Sequence, residues 1–205
     1  MAHEQHRELV ERGREIVQAS ENLYIDLDVE SDGIAGLGSL LSIGAVSPWG
    51  ETFYRELVPT DTHYIEGNKE FCEQHGLVRE RLMKEGAAPR EAMRDLAQWQ
   101  QSVRERHAKT GKSVLVAFNA SYDFPLIDLE YKRAAIDNPF GVAGYCVKSL
   151  AMALGGAYDW RATSKSKLPL EVIPDGEFTH NALEDAIRQA VGVQNIYRKL
   201  GIQPK

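Results

Sequence analysis

The sequence predicts a mixed α/β fold, a central sheet with helices on its faces. Two observations carry this: three short apolar runs follow one another early in the chain, and strand-like and helical segments then alternate to its end. Leu23 to Val29, Leu40 to Ser47 and Thr52 to Val58 are the three runs. They are separated by Gly33, Gly36 and Gly38 and then by Pro48, Trp49 and Gly50, so they read as strands in antiparallel succession. Residues 66 to 110 have helical character, clearest where Pro89 opens a helix and Ala92, Leu96, Trp99 and Val103 recur at helical spacing, with Gly111 expected to close it. Ser113 to Phe118 is apolar throughout, as a buried strand is, and a helix follows from about Ser121 to Ala135. Val147 to Leu154 is expected to be helical, Arg161 to Thr179 a loop containing Pro169, Pro174 and Gly176, and Ala182 to Leu200 a final helix.

At 205 residues the chain suits one domain with a sizeable core. Residues 3 to 19 form a polar helical pattern with a thin apolar stripe of Leu9, Val10, Ile16 and Val17, so residues 1–20 are expected to be a helical appendage to a domain over 21–205. Hydrophobic residues at 43% and charged residues at 26% exclude a disordered chain. Two cysteines, Cys72 and Cys146, are too few for a disulfide framework, and the charged opening segment is unlike a signal peptide, which together predict a cytoplasmic protein. The uncharged stretch from Ile34 to Gly50 is broken by Gly, Ser and Pro and is shorter than the ~20 apolar residues that span a bilayer, so no membrane partner is expected. A net charge of −6 argues against coating nucleic acid through a broad basic surface. It does not argue against a nuclease that reaches phosphates through bound cations, because the carboxylates that hold those cations themselves lower the net charge.

Three local patterns suggest chemistry. In the first strand Asp26, Asp28 and Glu30 alternate with apolar residues, which puts all three carboxylates on one face. Crowded carboxylates repel unless cations join them, so this face asks for metal; the plainer alternative is a solvated face on an edge strand. Asp123 falls in the first turn of the helix after the buried strand, a place where ligands gather in such sheets and also where an acid complements the helix dipole. In the segment from His180 to Asp185, Asn181 and Glu184 have the spacing of a capping box, which puts His180 just outside the last helix and Asp185 about one turn into it. Read alone, this is equally a surface histidine beside an acidic first turn.

Together and in this order, the segments LDVESDG, LLSIGAV, AFNASYD, VKSLAM and THNALEDA resemble the DEDDh group of DnaQ-like 3′-5′ exonucleases from about Leu23 to Leu200. Within that group the chain is similar to short bacterial stand-alone exonucleases, some of them exoribonucleases, with a DVExDG first motif. The resemblance implies a ribonuclease H-like fold with about five strands, the first three antiparallel, and Asp28, Glu30, Asp123 and Asp185 as ligands of two Mg²⁺ or Mn²⁺ ions. It implies His180 as general base and a single-stranded 3′ end as substrate, with nucleoside 5′-monophosphates as products. RNA is slightly favoured; a DNA-specific exonuclease and a silent nucleic-acid-binding module of the same fold are the alternatives. Asp26 stands outside the motif, and Ser31 and Asp32 replace the paired threonines of many members, which puts the usual contacts to the terminal nucleotide in doubt. Candidate substrate contacts are Ser31, Asn119, Tyr122, Phe124, Lys165 and Lys167, with Arg161 in the same loop as the two lysines. For each there is a structural alternative: core packing for Tyr122 and Phe124, a helix cap for Asn119, and solubility for the basic loop. The apolar stripes of the first and last helices serve either a homodimer or the core.

Overall fold

The computed structural model describes residues 21–155, 159–164, 167–168 and 179–199. The expected helix over residues 3 to 19 lies outside these, as does Lys165. Five strands form one sheet: β1 (Leu23–Ser31), β2 (Leu40–Val46), β3 (Thr52–Glu56), β4 (Ser113–Ala117) and β5 (Tyr145–Cys146). Their order is β3-β2-β1-β4-β5. β2 is antiparallel to both β1 and β3, whereas β4 is parallel to both β1 and β5. Six helices accompany the sheet among the described residues: α1 (Glu66–Gln74), α2 (Arg79–Glu85), α3 (Pro89–Arg106), α4 (Ala120–Ala134), α5 (Val147–Gly155) and α6 (Ala182–Lys199).

The central position of β1 explains its alternating sequence. Leu23, Ile25, Leu27 and Val29 are buried in one core cluster with Ala92, Met93, Leu96 and Val103 of α3 and Leu126, Ile127 and Tyr131 of α4. The other face carries Asp26, Asp28 and Glu30, and there α6 packs across β1 and β2. These acids therefore do not line a solvated edge strand. On the α6 side, Ala186 and Ala190 pack with Val46, and Val193 and Ile196 with Val116, Phe118, Val147 and Ala151.

The helical stretch expected over residues 66 to 110 is three helices. Gly76 takes a left-handed turn (φ +86°) after α1, and at Gly86 a Cβ would meet backbone of Leu57 and Leu82 at 2.6 Å, so the chain breaks twice where local periodicity continues. α3 ends at Arg106 rather than Gly111, because the amides of His107 and Ala108 turn back to Val103 and Glu105 and Ala108 is left-handed. Within the expected loop from Arg161, a 3₁₀ turn runs over Trp160–Thr163. No described helix is long and apolar enough to cross a membrane, and both cysteines are free.

Candidate active site

Pairing decides where the site forms. β1 and β4 run together as far as Asp26 and Val116 and pair no further, while β1 stays paired with β2 to Ser31. The chain thus opens a crevice at the carboxyl end of β1, where its neighbours lie on opposite sides of a change in strand order. Asp28 and Glu30 lie on this stretch, the first buried and the second half-buried. α4 starts at the end of β4 and presents Asp123, 5% exposed, from its first turn.

α6 supplies the third side. Gly44 is directly opposite Asp28 in the β1–β2 register, and a Cβ on it would lie 2.1 Å from the backbone of Ala182 and Leu183. Only glycine lets the first turn of α6 come down on β2 at this point. Asn181 caps that turn: its Oδ1 accepts from the amides of Leu183 (3.1 Å) and Glu184 (3.2 Å). The reciprocal half of the expected capping box is replaced, since the Asn181 amide donates to Thr179 Oγ1. One turn in, Asp185 is 2% exposed, and ligand atoms of Glu30, His180 and Asp185 lie within 4.8 Å of one another.

His180 has φ +53°, an unusual backbone for a residue with a side chain, so its surroundings hold it there. Its ring meets Phe71 edge-on at 4.4 Å and His75 at 4.5 Å; Phe71 of α1 and His75, which caps the carboxyl end of that helix, lie 4.6 Å apart. His75 Nδ1 is 2.8 Å from the Phe71 carbonyl. The sequence reading missed this shelf, although an aromatic pair at i and i+4 was a usable signal.

Carboxylate oxygens are the hard donors that Mg²⁺ and Mn²⁺ take, and Glu30 and Asp185 present them together beside the His180 imidazole. Asp28, Asp123 and Asp185 are each at most 9% exposed, and like charges so nearly removed from water are costly unless cations join them. The amino ends of α4 and α6 add partial positive charge. The donor set therefore fits divalent metal.

Several expected substrate contacts have structural duties. Ser31 is buried, and its hydroxyl donates to the Ser39 carbonyl (2.9 Å) and accepts from the Gly33 amide (3.2 Å). Asp32 is fully buried: it accepts from the Ser39 amide (2.6 Å) and pairs with Arg79, whose other nitrogen donates to the Asp61 carbonyl (2.5 Å). Burial raises the Asp32 carboxyl, and the Ser39 amide and Arg79 only partly counter this. Tyr122 and Phe124 are half-buried against the main core, and the Tyr122 hydroxyl donates to the Gly33 carbonyl (3.1 Å). Asn119 holds the N-cap position of α4, but its side chain accepts from Ser121 Oγ (2.9 Å) rather than capping the helix. Lys167 and Arg161 are exposed.

The fold is shared with known nucleases. The nuclease domain of 3'hExo, described as a DEDDh family member bound to rAMP, matches with a TM-score of 0.67 at 10% identity, over 88% of this chain and 94% of that one. Pop2p from S. pombe, in a form with Mg²⁺ and Mn²⁺ bound, matches with a TM-score of 0.59 at 12% identity, over 98% of this chain and 92% of that one. Fold and motifs define the class as a 3′-5′ exonuclease of DEDDh type with a ribonuclease H-like architecture. A family model described as the 3'-5' exoribonuclease Rv2179c-like domain matches residues 22–197, and the chain belongs to that family. It is also 33% identical over 177 residues to the 3'-5' DNA exonuclease Cap18 of Escherichia coli, covering 85% of this chain and 91% of that protein.

Proposed function

We propose that this exonuclease shortens single-stranded nucleic acid from its 3′ end by two-metal hydrolysis, with RNA preferred, and releases nucleoside 5′-monophosphates. The convergence of Glu30, His180 and Asp185 within 4.8 Å at the sheet crevice carries the reading. Asp28, Glu30, Asp123 and Asp185 would hold Mg²⁺ or Mn²⁺. Bound there, the ions would acidify the attacking water and offset charge on the scissile phosphate and the departing 3′ oxygen. Neutral His180 accepts the proton of that water on a ring nitrogen, and the Phe71 and His75 rings keep the imidazole facing the carboxylates. Tyr122 and Phe124 would flank the 3′ end from α4, and the exposed Arg161 and Lys167 would meet phosphates further along the strand, a role the sequence pattern extends to Lys165.

RNA stands first because the family's description is of an exoribonuclease; the relative that acts on DNA favours the second reading, a DNA exonuclease. Digestion of matched 5′-labelled RNA and DNA oligomers with Mn²⁺ or Mg²⁺ tests both, with chelator and Asp28→Ala as controls. A ladder shortening from the 3′ end, faster on RNA and lost in both controls, is the expected result. Faster DNA degradation transfers the proposal to DNA, and a ladder that survives Asp28→Ala overturns the metal site.

A further inference from the structure

Behind the site lies a hydrogen-bond network centred on Gln189, a residue outside every motif above. β1 and β4 part after Asp26 and Val116, and the side-chain amide of Gln189 enters the fork. Its Oε1 accepts from the Phe118 amide (2.5 Å) and its Nε2 donates to the Val116 carbonyl (3.1 Å). Had β1 kept up its parallel pairing, its residue opposite Ala117 would bond these same two backbone groups. The side-chain amide thus stands in for a strand's peptide where the neighbouring strand has left. Its Nε2 also donates to Asp26 Oδ1 (3.1 Å), so both donor hydrogens and the carbonyl are engaged, and the side chain is 3% exposed.

Gln189 is one helical turn beyond Asp185 and lies on the same face of α6. Gly44 determines how closely the first turn of α6 approaches the sheet, and the Gln189 amide then fixes the rotation of the helix against two strands. Asp28 and Glu30 stand on one of these strands, and Asp123 follows the other.

We propose that Gln189 is a positioning residue of the metal site: its amide, wedged in the β1–β4 fork and held by Asp26, sets the place of Asp185 relative to Asp28, Glu30 and Asp123. The proposal rests on the reading of those carboxylates as metal ligands. It also gives the third acid of β1 a role, that of anchoring the amide rather than binding metal.

The test measures Mn²⁺ binding to the metal-free full chain, with the free ion followed by electron paramagnetic resonance, so no turnover is needed. Gln189→Met keeps the length of the side chain and removes all three bonds. It is expected to weaken Mn²⁺ binding about tenfold, the usual scale for residues that orient metal ligands. Gln194→Met, a change of another buried glutamine on the same helix outside this network, is expected to leave binding unchanged. Should the first variant fail to fold, Gln189→Asn keeps an amide but withdraws it by one methylene, and the same loss is expected. Binding by a folded Gln189 variant within about twofold of wild type, or an equal loss in Gln194→Met, overturns the proposal. Asp185→Asn separates the two claims: unchanged Mn²⁺ binding there overturns the metal-site reading and the proposal with it, whereas weakened binding there and unchanged binding in the Gln189 variants overturns the proposal alone.

Discussion

Replacing Gly44 with alanine tests whether close approach of α6 builds the site. The added Cβ would lie 2.1 Å from Ala182 and Leu183 backbone atoms, where ordinary contact begins near 3.4 Å. The obstacle is main chain capped by Asn181, so no side chain can swing aside and the helix must retreat by about 1.3 Å. Overpacking of this kind costs about 3 kcal/mol, the upper part of its usual range. In a chain of this length that lowers the melting temperature by about 9 °C. Asp185 moves with the helix, and a displacement of about 1 Å at a reacting centre lowers turnover on the order of 100-fold. The assay pairs thermal melts followed by circular dichroism with turnover of a 5′-labelled oligomer at saturating Mn²⁺. Gly67→Ala is the control, since its Cβ meets nothing within 4 Å, and it should leave turnover unchanged. A Gly44→Ala protein that melts within about 2 °C of wild type and turns over within about threefold of it would refute the reasoning.

Three further predictions concern other groups. His180→Ala should lower turnover by about 10²- to 10⁴-fold while Mn²⁺ binding, followed by calorimetry, changes little, because on the proposed reading it removes the general base and keeps the four carboxylates; unchanged turnover would remove His180 from that role. Burial pushes the Asp26 carboxyl from 3.8 up to about 7, against the opposing Gln189 hydrogen bond. The folded state therefore holds the proton more tightly, so this contribution to stability is present below pH 3.8 and is lost as pH rises through about 7. Relative to Asp26→Asn, wild type should lose stability over that window; the full shift corresponds to about 4 kcal/mol, and partial exposure of the side chain reduces this to about 2. Urea denaturation at several pH values reads the difference, and a flat difference contradicts the assignment. Arg79→Met leaves the buried Asp32 without its cation and should cost about 3 kcal/mol near neutral pH, less in acid where Asp32 takes up a proton, and the double variant with Asp32→Asn should recover much of it.

What the sequence reveals and what it hides divide along the range of the interactions. The alternation of Leu23, Ile25, Leu27 and Val29 with Asp26, Asp28 and Glu30 marks a strand with a polar face, and an apolar run closed by Asp123 marks a strand leading into a helix. Both are local patterns, and both elements stand close to their expected bounds. β5 is a two-residue pairing with Val116 and Ala117, too short to leave a periodicity. The breaks at Gly76 and Gly86 inside the expected long helix depend on a left-handed turn and on contact with Leu57, neither of which helical spacing records. Gln189 bonds to groups 71, 73 and 163 residues away, and His180 rests on Phe71 and His75 at the end of a distant helix. Such pairings belong to the tertiary fold and are not visible in a local window.

The same division bears on specificity. Asp32 stands where many members of the resembled group carry the second of two threonines, and in this fold its carboxylate meets Arg79 and the Ser39 amide. Ser31 turns its hydroxyl onto the loop as well, toward Ser39 and Gly33, and Tyr122 closes on the Gly33 carbonyl from α4. The segment after Glu30 is thus tied down by its own side chains. The groups it presents outward are the exposed Ile34 and Leu37, joined in a small bridge, rather than hydroxyls. With the Ser31 hydroxyl and the Asp32 carboxylate engaged within the protein, the proposed reading does not draw on side-chain hydrogen bonds from residues 31 and 32 to hold the 3′ end.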